Sequence, residues 1–360
     1  MLYEHDGIVG LLLQRKDLDP NTPDTRYRYS RTPLWWAAER GYDGIVRLLL
    51  EREDVNTNIL DTEYGQTPLL AAVIGGHEGA VGLLLKRKDL DPNTPDSEYG
   101  QTPLLYATFR GYEGIVKLLL ERGDTHPNIP DAKCGQTPLL AAVMGEREGA
   151  VRLLLQRKDL SPNTPDTGYN GTPLWWASGG GYEGIVRLLL EREDIDPNIP
   201  DTTYGQTPLL MAVMGEHEGA ARLLLQRKDL NPNTLDAGYS GTPLLWASGC
   251  GYEGIVRLLL EREDANPNTA DTKCCQTPLM RAAMCGHEGI IKLLLEREDL
   301  NLNILDLLGR TALELAMSWG HTGIVQLLSK PKPSLPTSTR PTENIRQSTL
   351  PQGTMLNSNN

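Results

Sequence analysis

Four groups of residues have the types and spacing to do chemistry. Asp194-x-Asp196-x-Asn198 carries the alternating oxygen ligands that open a calcium loop. That loop also needs a central glycine and a closing glutamate, and here Gly205 holds the final position. Cys250, Cys285 and His287 are zinc-ligand types. If they sit on neighbouring helices about 8–10 Å apart, the two sulfurs are too far apart to share one ion. His77, His217, His287 and His321 could move protons, and pairs such as Glu51 and Glu53 could serve as acid and base. These residues recur at a fixed period, however, whereas an active site needs a unique convergent set. A phosphate-binding glycine loop, a nucleophile elbow and a His-x-x-x-His pair are all missing from the sequence. The expectation is a chain with no catalytic residue, no bound metal and no cofactor.

The period that weakens those readings is the organising feature. Thr-Pro-Leu recurs with its threonine at Thr32, Thr67, Thr102, Thr137, Thr172, Thr207, Thr242 and Thr277, each step 35 residues, and Thr311-Ala312-Leu313 begins a ninth unit one residue early. Leu-Leu-Leu triplets from Leu48 to Leu293 keep the same register. Within one unit, Thr207 suits a helix N-cap and Pro208 the first helical position. Leu209, Leu210, Ala212 and Val213 then predict a short helix that ends near Gly215. Glu218 opens a second helix, with Ala221 and Leu223 to Leu225 on its apolar face and Arg227 and Lys228 near its C-terminus. Residues 229–239 carry turn chemistry in Pro232, Asn233 and Asp236. Helices this short are marginal alone in water, since isolated ones need roughly 12–15 residues. Each must bury its apolar face on the next unit, so the predicted fold class is an all-α solenoid.

Bulk properties narrow the partners. The net charge of −12 disfavours nucleic acid and anionic membranes, both of which require a basic face. No apolar run approaches the roughly 18 residues of a membrane span. Five cysteines without framework spacing suit a reducing setting, so cytoplasm or nucleus is expected.

The units resemble the ankyrin repeat. Gly65-Gln66-Thr67-Pro68-Leu69, Gly76-His77, Val81, Leu83-Leu84-Leu85 and Asn93 follow that family's pattern, and the likeness covers residues 32–329. The Glu-Arg-Glu-Asp…Pro-Asn loops look most like arrays in fungal proteins, which often follow nucleotide-binding signalling domains. The resemblance implies helix-turn-helix units with β-hairpin-like projecting loops. It also implies a monomeric interaction scaffold that binds other proteins, with a sensing or autoinhibitory arm of a larger nucleotide-regulated protein as the alternative. Three departures stand out. The family's histidine after Thr-Pro-Leu is replaced by Trp35, Leu70, Leu105 or Trp175, which removes its hydrogen bond. Asn170, Ser240 and Cys275 replace a turn glycine, and Cys275 fits a left-handed turn worst. The repeating block is two units long, because Trp36, Tyr106, Trp176 and Trp246 stand 70 residues apart while Ala71, Ala141, Met211 and Arg281 fill the alternate units.

Carried over from the family, the concave-groove positions are Trp36, Ile74, Tyr106, Phe109, Met144, Trp176, Met211, Met214, Trp246 and Met284. The loop-tip positions are Glu63, Tyr64, Glu98, Tyr99, Tyr169, Thr203, Tyr204, Tyr239 and Lys273. The aromatic series admits two readings, contact with a partner in the groove or packing between units. At the ends, residues 1–31 read as a truncated half repeat and loop. Met1 aligns with Ala38 inside a first helix, so a fragment or a misplaced start is expected. Ser318, His321 and Gln326 suggest a polar cap on the last unit. Residues 330–360 read as a disordered tail rich in Pro, Ser and Thr, with a bare Pro333-x-x-Pro336.

Overall fold

Each unit begins where threonine meets proline. In the computed structural model Thr207 is extended (φ −81°, ψ 162°), and its hydroxyl accepts the Leu210 N–H. Pro208, lacking an N–H, starts the helix Pro208–Met214 at no cost in hydrogen bonding. Gly215 closes it, and the second helix runs Glu218–Leu225 with an acid in its first turn. The same pair recurs from Pro33–Arg40 with Asp43–Leu50 to Ala312–Ser318 with Thr322–Leu328, after a lone helix Asp6–Leu13. The ninth unit has no proline, and there Glu314 bonds back to the Thr311 N–H in a capping box. The structure describes residues 6–15, 17–24, 29–238 and 241–330. The expected tail from 331 onward lies outside them.

The apolar faces merge into one continuous core from Val9 to Ile324. Ala72, Val73, Ala80, Val81 and Leu84 show the pattern, all buried against neighbouring units. No unit owns a core by itself, as a stacked solenoid requires. The second helices start Glu-Gly or Asp-Gly in all units but the last, where Thr322 precedes Gly323, and the acid of one unit lies over the glycine of the next. A Cβ on Gly114 would collide with the Glu78 carboxylate, and one on Gly149 with that of Glu113.

The loops are hairpin-like turns. Asp61 N–H donates to the Gln66 carbonyl across the tip, and Asp96 and Asp131 repeat the bond to Gln101 and Gln136. Each tip also bonds its neighbour, as Ser97 N–H to Tyr64 O (2.8 Å) and Ala132 N–H to Tyr99 O (2.9 Å). The buried Asp96 carboxylate gathers the N–H groups of Glu98, Tyr99 and Gly100. The turn glycines Gly65, Gly100, Gly135 and Gly205 have φ between 65° and 71°. Cys275 and Asn170 adopt the same left-handed turn at φ 55°, so Cys275 keeps the geometry at a cost in strain. Ser240 lies outside the described residues.

The last unit departs from expectation. Ser318 and Gln326 are exposed, as a cap requires, but so are Leu305, Leu307, Leu308, Met317 and Trp319. The terminal face is therefore largely apolar rather than polar, because residues that earlier units cover have no following unit among the described residues.

Candidate partner-binding surface

The expected groove residues fall into two classes. Trp36, Ile74, Tyr106, Met144, Trp176, Met211, Trp246 and Met284 are half-buried. Of these, Tyr106, Trp176, Trp246 and Met284 pack on the core. Phe109 and Met214 are exposed, at 49% and 37%. Partial burial means that the aromatic series is tied into the array and also shows a face to solvent. Trp176 makes the tie plain, since its indole N–H donates to the buried Asp166 carboxylate at 2.6 Å. Its ring meets Trp175 edge-on, with centroids 5.1 Å apart.

Two clefts open along this strip. One, of about 250 Å³, lies between Trp176, Met144 and Met211 over Gly179 and Gly180. The other, of about 240 Å³, lies between Trp246, Cys250, Arg281 and Cys285 over Gly249. They occupy equivalent places two units apart. The glycines make room, for the corresponding residues in the first and third units are Glu39 and Arg40, and Phe109 and Arg110. Arg281 crosses the second cleft and reaches the buried Asp271 carboxylate at 3.3 Å.

The tips are more open. Glu98, Tyr99, Tyr169, Thr203, Tyr204 and Lys273 are exposed, whereas Glu63 and Tyr64 are half-buried. Glu63 pairs with Arg31 at 3.0 Å. Hydrogen bonding to Glu63 raises the Tyr64 phenol pKa, and Glu98 does the same to Tyr99. Lys133 lies over the Tyr99 ring, 5.3 Å from its centroid. Tyr239 lies outside the described residues.

The histidines and the Asp194 to Asn198 stretch are occupied by structure. The ring Nε2 of His77 bonds the Glu39 carbonyl of the preceding unit at 3.0 Å, and His217, His287 and His321 repeat that contact to Gly179, Gly249 and Met284. Asp194 is held by Arg192, and Asn198 spans from the Asp229 carbonyl to the Asn231 N–H. Among the described residues no group of three or more His, Cys, Asp or Glu is arranged to hold a metal ion. No helix among them is long and apolar enough to cross a membrane.

A model of ankyrin repeats (3 copies) matches at residues 2–96, 53–131, 124–201, 193–271 and 263–337. The chain belongs to the ankyrin-repeat family. The match extends along the array and distinguishes no fungal subtype. Among curated proteins no significant match is found. Ankyrin repeats are generally protein–protein interaction modules, and the family is typically non-enzymatic. This ankyrin array differs from expectation at the position after Thr-Pro-Leu, where the usual hydrogen bond is replaced rather than lost in one unit. Trp175 donates its indole N–H to the Gln206 carbonyl of the next unit at 2.8 Å.

One repeated device was hidden in the sequence. Arg157 donates to the carbonyls of Leu120, Arg122 and Thr125 in the preceding unit and forks onto Asp159. Arg87, Arg122, Arg227 and Arg262 do the same in their own units. The signal was available as Arg-x-Asp at 35-residue spacing. Reading arginine only as a helix C-terminal charge misses the unit it reaches.

Proposed function

We propose that this ankyrin solenoid holds another protein against its concave face, with the loop tips as a second contact zone. The supporting observation is where the units differ. Trp36, Tyr106, Trp176 and Trp246 alternate with smaller or polar residues along the first helices, and the clefts at Trp176 and Trp246 have room for side chains. Half-buried aromatic side chains bind with little loss of entropy, and methionines beside them adapt their shape to a partner. An extended segment or loop fits a strip of this kind better than a flat surface would. The acidic chain, at −12, is suited to a protein partner rather than nucleic acid. On this reading one copy works without catalysis in the cytoplasm or nucleus, where thiols stay reduced.

The test is a capture comparison from cell lysate. One variant carries Phe109→Ser and Met214→Ser in the groove, and a second carries Lys117→Ser and Arg152→Ser on the second helices. Both should melt like the unaltered chain. The reading expects a partner retained by the unaltered chain and the second-helix variant, and at least tenfold less by the groove variant. Equal retention by the groove variant removes the groove from the proposal.

A further inference from the structure

The last ankyrin unit ends in an apolar face that the earlier units do not have. Leu305, Leu307, Leu308, Met317 and Trp319 are 53%, 66%, 75%, 54% and 60% exposed. Three of these depart from the repeat toward greater apolarity. Leu307 stands where Thr62, Ser97, Ala132 and Thr272 stand, and Leu308 where Glu63, Glu98 and Lys273 stand. Trp319 replaces Arg40, Arg110, Gly215 or Cys285. Met317 occupies a position buried in every preceding unit, as at Val73, Thr108, Val143 and Ala283. A solenoid end needs a polar outer surface, and large apolar side chains left exposed there point to a contact.

We propose that residues 331–360 of the same chain fold back and cover this face. Geometry favours this occupant. The segment leaves the last helix, Thr322–Leu328, within the same unit as the face. Its 30 residues can span roughly 100 Å when extended, against about 10 Å between stacked helices. After each second helix one residue is buried at the loop base, as Val55, Leu90, Leu160, Ile195, Leu230 and Leu300 are. Leu335 stands one residue beyond that register. Pro331 stands in the register of Arg297, so no arginine continues the ladder there.

Composition fits as well. Leu335, Ile345, Leu350 and Leu356 supply apolar side chains at intervals along the segment. Lys332, Arg340 and Arg346 against Glu343 make it basic, whereas the whole chain is at −12. A tethered segment acts at an effective concentration of order millimolar, which favours it over a second copy at cellular levels. The inference does not depend on the groove.

Methionine oxidation of the full chain tests it. Met317 is more exposed in the array than Met214, at 54% against 37%, so an uncovered face would make Met317 the faster to react. A brief pulse of hydrogen peroxide followed by peptide mass spectrometry gives both rates. The expected result is Met317 at least threefold slower than Met214. A Leu335→Asp, Ile345→Asp, Leu350→Asp variant of the full chain should reverse that order while leaving Met214 unchanged and the melting curve the same. Faster oxidation of Met317 than of Met214 in the unaltered chain overturns the proposal, as does a ratio indifferent to the variant. Protection that disappears on hundredfold dilution also overturns it, because the cover is then a second copy.

Discussion

The base of the loops and the concave groove are made by the same repeat and behave differently. At the base each unit repeats the same atoms. Asn58, Asn93, Asn128, Asn163, Asn198 and Asn233 each donate to a carbonyl 31 residues on, at 2.6–2.8 Å, and each accepts an N–H from 33 residues on. Arginines from 52 to 297 clamp backwards in the same way. In the groove, the equivalent positions hold Trp, Tyr, Ala, Met or Arg. Atoms that must bridge neighbouring units admit no alternative, while a groove side chain can change without breaking the stack. Invariance within this chain marks assembly of the solenoid, and the varying positions are those to which we assign recognition.

Acid offers the largest test, because it acts on all units together. Hydrogen bonding from the partner arginines lowers the pKa of Asp89, Asp124, Asp159, Asp194, Asp229 and Asp264, against an opposing effect of burial. Groups lowered in the folded state contribute stability that is present above the unfolded value, near 3.9, and is lost as pH falls through the folded value. Urea midpoints should therefore be level between about pH 7 and 5 and fall steeply below about pH 4. An onset in the histidine range near pH 6.5 would instead assign the pH response to the inter-helix turns.

Single substitutions sharpen the contrast. Arg157→Ala removes bonds to three carbonyls and should cost about 2–3 kcal/mol by urea unfolding, with Arg87→Ala and Arg227→Ala similar. Asn163→Ala removes one donated and one accepted bond to the next unit and should cost about 1–2 kcal/mol. A groove side chain that is also tied inward should lie between the two classes. Trp176→Phe leaves the Asp166 oxygen without its indole donor and should cost about 1 kcal/mol, while Met214→Ala should stay within about 0.5 kcal/mol. If Met214→Ala costs as much as Asn163→Ala, the division between groove and base fails. The smallest effect is a gain. Cys275→Gly relieves a left-handed cysteine and should raise stability by about 0.5–1 kcal/mol, visible as a higher melting temperature.

Most of the fold is legible in local chemistry. Thr-Pro fixes the start of the first helix in every unit but the ninth, the turn after it fixes its end, and Asn marks the bonded loop, all within one unit's sequence. What local reading misses lies between units. The arginine reach to carbonyls 32–37 residues back is invisible until the stacking distance is known. Tyr106, Trp176 and Trp246 pack on the core and stay half-exposed, a balance that local reading does not resolve. Trp176 is anchored at its nitrogen and half open at its face, whereas Trp175 beside it is buried. The terminal cap misleads for a related reason. Polarity at Ser318 and Gln326 suggests a solvated end, but Leu307, Met317 and Trp319 are exposed because no further unit packs on them among the described residues.

The central claim, that recognition uses the varying face, is tested most directly by hydrogen–deuterium exchange on the complex with a captured partner. The account predicts new protection in the first helices Pro103–Arg110, Pro173–Gly180 and Pro208–Met214 and in the adjoining tips. Protection confined to the second helices, such as Glu183–Leu190 and Glu218–Leu225, would contradict it.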